Sequence, residues 1–122
     1  MDKRTKSRAF TLVEIMITIL IIGILLGIAI PNYVNAREQS RKKACVENLR
    51  RVDYAKDAYL MDKNLPGSTP SSAFTDAILY GSGGYLSAKP QCPGGGTYTP
   101  NNGDQLPTCD YRGGGIHVYD GS

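Results

Sequence analysis

From Phe10 to Ile30 the chain is apolar at almost every position, interrupted only by Thr11, Glu14, Thr18 and the glycines Gly23 and Gly27. Those 21 residues make about 30 Å of α-helix, enough to cross a bilayer core. The pattern then changes period. Between Asn32 and Asn64 there is no proline or glycine, and Cys45, Leu49, Val52, Ala55 and Tyr59 recur at spacings of three and four. That is the stripe of an amphipathic helix. Opposite charges four residues apart, Glu38–Lys42 and Glu47–Arg51, add roughly 0.2–0.5 kcal/mol each. Asn64-Leu65-Pro66-Gly67 is a helix stop.

Beyond Leu65 the texture is different. Twelve of the 14 glycines and six of the seven prolines lie there. Turns and short elements are expected. Thr69 and Pro70 start a short helix that ends at Gly81. Gly96 to Thr99 and Leu106 to Tyr111 read as two strands joined through residues 100–104, and Ile116 to Tyr119 as an edge strand. The expected fold class is therefore α+β: a long N-terminal helix, membrane-spanning in its first half, packed on a small C-terminal region with a short helix and a β-hairpin. The chain divides into a leader (1–9), a transmembrane and assembly helix (10–31), the amphipathic half of the long helix (32–65) and a small disulfide-containing globular region (66–122).

The net charge of +3 sits entirely in the leader, where Lys3, Arg4, Lys6 and Arg8 oppose Asp2; the remainder balances to zero. A chain neutral outside its leader has no general electrostatic reason to bind nucleic acid or acidic substrates. Arg37, Arg41, Lys42 and Lys43 form a local basic group, for which solvated helix surface outweighs a DNA contact. Because basic residues flank both ends of the apolar run, charge alone does not orient it.

Glu14 is the one ionisable residue in the run. A charge in hydrocarbon costs roughly 2.5–3.5 kcal/mol on insertion scales and is normally paired. No other charged side chain lies in the segment, so the partner is expected from another chain or from a newly made terminus.

The segment Ala9-Phe10-Thr11-Leu12-Val13-Glu14 resembles the processing motif of type IV pilins and type II secretion pseudopilins. The resemblance implies cleavage between Ala9 and Phe10, N-methylation of Phe10, and pairing of Glu14 with the terminal amine of a neighbouring subunit. Ala9 stands where that family normally has glycine. An ammonium about 4 Å from Glu14 contributes about 4 kcal/mol at an effective dielectric of 20, enough to offset the burial cost. Pro31 also lies where pilins commonly carry a proline. It removes a helical hydrogen bond and crowds the carbonyl of Gly27, so a kink is expected at 27–31. Gly23 and Gly27 permit close helix approach.

The function implied is that of a structural subunit of a type IV pilus or type II secretion-like filament. The implied partners are other pilin subunits in a homo-oligomeric filament, a prepilin peptidase, an inner-membrane platform protein and an assembly ATPase. The implied location is the inner membrane, single-pass, with the C-terminal region outside the cytoplasm. The competing reading is an exported, disulfide-stabilised binding domain behind an ordinary signal peptide or anchor; Val34-Asn35-Ala36 would serve as the signal cut.

No nucleophile–base–acid constellation is visible, so no enzyme activity is expected, and no cofactor either. Cys92 and Cys109 flank the hairpin, and a disulfide between them closes a loop of a size worth about 3 kcal/mol. Cys45 is a buried thiol on the stripe or pairs with one of the other two, so the connectivity stays open. No Cys-x-x-Cys occurs and His117 has no neighbouring histidine, so no metal site is expected and His117 is placed on the surface. Cys92-Pro93-Gly94-Gly95-Gly96 lacks the lysine and following helix of a phosphate loop. Asp104, Asp110 and Asp120 match no calcium pattern.

Overall fold

The computed structural model describes residues 8–113 and 117–121. The chain divides into two compact units, residues 1–37 and 38–122. The expected leader falls mostly on residues 1–7, and the start of the expected edge strand on Ile116; both lie outside the described residues.

One helix, α1 (Leu12–Lys63), contributes to both units. Its assignment runs unbroken through Pro31, so the expected interruption at 27–31 does not appear as a break in the element. It stops where the stop signal lies. Asn64 takes φ 52°, the left-handed conformation that asparagine tolerates at a helix end, and the Leu65 amide donates to the Leu60 carbonyl at 2.9 Å.

In the first unit, every described residue up to Ala36 is exposed, including Phe10, Leu12 and the isoleucines from Ile15 to Ile30. The most apolar stretch of α1 has a mean hydropathy of 2.8 with none of it buried. A helix apolar on all sides and unburied within its own chain is built for lipid or for other helices.

In the second unit the stripe is covered by residues that follow Lys63. Val52, Ala55 and Leu60 pack with Phe74, Leu79 and Tyr80 in one core, with Tyr59 and Leu86 against it. Cys45 and Leu49 pack with Cys92, Tyr98, Cys109 and Tyr119 in a second core, flanked by Val46 and Tyr111. The expected short helix is two pieces: a 3-10 turn, η1 (Ser71–Ala73), and α2 (Asp76–Leu79). Thr69 caps neither. Its hydroxyl donates to the Pro66 carbonyl at 2.5 Å, which ties the turn that follows α1. The hairpin is present but short: β1 (Tyr98–Thr99) pairs antiparallel with β2 (Thr108–Cys109), Tyr98 opposite Cys109. His117 to Tyr119 is not a strand.

Asn101 explains the brevity. It sits at φ 58° and donates to the Leu106 carbonyl at 2.9 Å, closing the connection with a side-chain bond. Beyond β1 and β2 the pairing is taken over by Asp110, which accepts the Thr97 amide at 2.5 Å.

Candidate functional site

The apolar helix begins with a reciprocal cap. The Thr11 amide donates to Glu14 Oε2 at 3.0 Å, and the Glu14 amide donates to Thr11 Oγ1 at 3.3 Å. This Thr-x-x-Glu arrangement is a capping box, which satisfies two of the backbone donors a helix start leaves unpaired. It also puts a carboxylate at the positive end of the helix dipole. Glu14 therefore has a neutral backbone donor inside its own chain, in addition to the charged partner expected from another chain or a new terminus. The signal was legible, because threonine lies three residues before glutamate. Thr18 returns its hydroxyl to the Glu14 carbonyl at 2.7 Å.

Phe10 precedes this box and is 84% exposed. Ala9 is exposed and outside any helix or strand. Cβ atoms placed on Gly23 and Gly27 would meet nothing within 4 Å, so both positions are open to an approaching helix. Pro31 is exposed on α1.

The second unit brings together four residues that the sequence leaves scattered. Cys45 projects from α1, Cys92 from the turn before β1, Cys109 from β2 and His117 from the segment after η2 (Tyr111–Gly113). All four are buried, and their Sγ and ring nitrogen atoms lie within 4.8 Å of one another. Cys92 Sγ is 3.4 Å from His117 Nδ1. This overturns the surface placement of His117, which is 1% exposed. The Tyr111 ring stacks on it at 4.3 Å, sealing one side. None of the three cysteines is paired in the structure, which therefore does not show the expected Cys92–Cys109 disulfide.

The thiols differ electrostatically. Burial pushes Cys45 up to about 12, even though a hydrogen bond from Tyr98 opposes the shift. Burial acts on Cys92 in the same sense, but the backbone amides of Gly96 and Gly94 aim at its sulfur and leave it below the ordinary thiol value. Burial raises Cys109, partly offset by the Tyr111 amide. The run Cys92 to Gly96 is thus a sulfur cradle. The Gly95 amide closes its turn onto the Cys92 carbonyl at 2.9 Å, with Gly95 at φ 91°. Gly96 has no room for a side chain, since a Cβ there would lie 2.6 Å from Cys109 Sγ.

Lys56 is a residue that sequence reading missed. It is fully buried, and its ammonium donates to the carbonyls of Pro100 (2.8 Å), Asn102 (3.0 Å) and Gln105. Asp53 lies 3.9 Å away. Burial pulls its affinity for a proton below the usual lysine range, while Asp53, Asp57 and Asp104 act the other way. Its signal was positional: residue 56 falls between Val52 and Leu60 on the buried face of α1.

The comparisons agree with the first unit's geometry. The model of the prokaryotic N-terminal methylation motif matches residues 4–30. Type II secretion system core protein G of Aeromonas hydrophila is 32% identical over 107 residues, covering 80% of this chain and 74% of the relative. A ComG operon protein 3 homolog of Bacillus licheniformis is 34% identical over 96 residues, covering 79% and 92%. Type IV major pilin protein PilA of Myxococcus xanthus is 37% identical over 59 residues, covering 48% and 27%. No solved structure matches the chain. With a capped, exposed apolar helical stretch in one unit, a small domain packed on the stripe in the other, and kinship that runs through both, this chain belongs to the family of type IV pilins and type II secretion pseudopilins.

Proposed function

We propose that the chain is a filament subunit, made as a prepilin, cut between Ala9 and Phe10, methylated at the Phe10 amine, and polymerised through the helix that follows. The observation that carries this reading is the exposed apolar helix headed by the Thr11–Glu14 box. An apolar helical stretch with no buried residue needs lipid before assembly and sister helices after it. Residues 10–31 form the membrane and assembly segment, 32–65 the stripe that the domain covers, and 66–122 the small outer region. Before assembly the subunit is single-pass in the inner membrane with its C-terminal region outside the cytoplasm. The machinery it requires is a prepilin peptidase, a platform membrane protein and an assembly ATPase.

Glu14 has a defined role in this scheme. In the uncut chain its carboxylate is occupied by the Thr11 amide. Cleavage places an ammonium on Phe10, one residue from that amide, and the carboxylate then binds the stronger, charged donor. In a filament the donor is the Phe10 amine of a neighbouring subunit. Pro31 frees the Gly27 carbonyl from its helical partner and lets the helix adjust on packing.

Mass spectrometry of the mature chain tests the processing step, with a start at methylated Phe10 expected and an uncut chain or a start at Arg37 counting against it. Glu14→Ala tests assembly: processing should persist while filaments fail to grow. Filaments of normal length from that variant would remove Glu14 from the assembly site.

A further inference from the structure

We propose that Cys45, Cys92, Cys109 and His117 form a closed, tetrahedral zinc site that staples the small domain. Zinc bonds of about 2.3 Å to sulfur and about 2.0–2.1 Å to nitrogen require donors about 3.5–3.8 Å apart around a tetrahedron. The four donor atoms lie within 4.8 Å of one another, with the Cys92–His117 pair already at 3.4 Å. Small side-chain rotations complete the geometry.

The donor set selects the ion. Three thiolates and one imidazole in a closed pocket are the ligands of structural zinc, whereas calcium and magnesium take oxygen. A disulfide between any two of the cysteines accounts for two groups and leaves a buried thiol and a buried histidine with no task. The metal uses all four.

Two further features are built for it. On binding, three thiols give up their protons to solvent, and the site carries a net charge of −1. Gly96 lets the backbone approach the site closely, since a Cβ there would lie 2.6 Å from Cys109 Sγ. His117 turns Nδ1 toward the thiols, and its Nε2 is buried without a hydrogen-bond partner. The Glu38 Oε1 is likewise buried without a hydrogen-bond partner. A histidine that ligates through one nitrogen usually donates the other to such a group. In the proposed site Glu38 takes that role, as a positioning residue.

The site joins four parts of the domain at one atom: the stripe of α1, the turn before β1, β2 and the C-terminal segment. A two-stranded sheet of two residues a side cannot hold those parts by itself.

The test uses the full chain, purified in detergent without added reductant or chelator. One zinc per chain is expected. X-ray absorption at the zinc edge should show three sulfurs at about 2.3 Å and one nitrogen at about 2.0–2.1 Å. Co2+ in place of Zn2+ should give thiolate-to-cobalt charge-transfer bands and the visible spectrum of a tetrahedral centre. His117→Ala should weaken Zn2+ binding by at least the roughly 10–100-fold that even outer-shell changes produce. Glu38→Gln should weaken it less while keeping the tetrahedral cobalt spectrum. Two results would overturn the site: a chain lighter by two hydrogens, with an internal disulfide and no metal, or a reduced chain whose metal shows an oxygen-dominated shell. Both are read on the unaltered protein, so a variant that fails to fold does not shield the proposal.

Discussion

At the scale of single residues the domain rests on polar groups in unusual places. Lys56 holds three carbonyls of the 100–105 connection from inside the core. Lys56→Met keeps the apolar stem and removes the donors. Each abandoned acceptor costs about 1–3 kcal/mol, so a loss of at least ~3 kcal/mol is expected in chemical denaturation. A loss below 1 kcal/mol would mean that water replaces the ammonium without penalty. Gly96 is the second such residue. A methyl there drives into Cys109 Sγ and the Tyr111 amide, which lies 2.9 Å from the same point. Gly96→Ala should cost about 1–3 kcal/mol through overpacking, read as a lower midpoint of unfolding. Neither effect follows from residue type, because a lysine and a glycine ordinarily mark surface and turn.

At the scale of elements, α1 is two helices in physical character under one hydrogen-bond ladder. Its start depends on the Thr11–Glu14 box. Thr11→Val keeps the shape and removes the hydroxyl, at a cost of about 1 kcal/mol of cap stability. Amide exchange at residues 12–15 should accelerate about fivefold, with exchange at 45–60 unchanged; equal protection in both forms would show that the box does not hold the helix end. Farther along, the stripe binds the domain. Leu49 on α1 is fully buried in the core it shares with Cys92, Tyr98, Cys109 and Tyr119. Leu49→Ala should destabilise the second unit by about 2–5 kcal/mol, seen in its unfolding transition. The short elements beyond Lys63 draw their order from that face, since a four-residue helix and a two-residue strand pair do not persist alone.

At the scale of the whole molecule, the two units solve different solvation problems. Residues 1–37 bury nothing that is described, while both cores lie in residues 38–122. A chain beginning at Glu38 should therefore dissolve without detergent and unfold cooperatively. Aggregation of that fragment, or a need for detergent, would show that the apolar segment contributes to the domain's core. The apolar run, its acidic head, the end of α1 and the α+β class were all legible in the sequence, because each depends on local pattern: hydrophobic period, a cap three residues from its partner, a stop of asparagine, proline and glycine. The capping box is legible there too, as threonine three residues before glutamate. What only the tertiary structure decided is long-range. Cys45, Cys92, Cys109 and His117 are separated by 47, 17 and 8 positions, and no spacing rule links them. They meet because the helix stripe, a glycine turn, a strand and the C-terminal segment fold onto one point. Lys56 likewise became a core residue because three carbonyls arrived around it from more than 40 residues away.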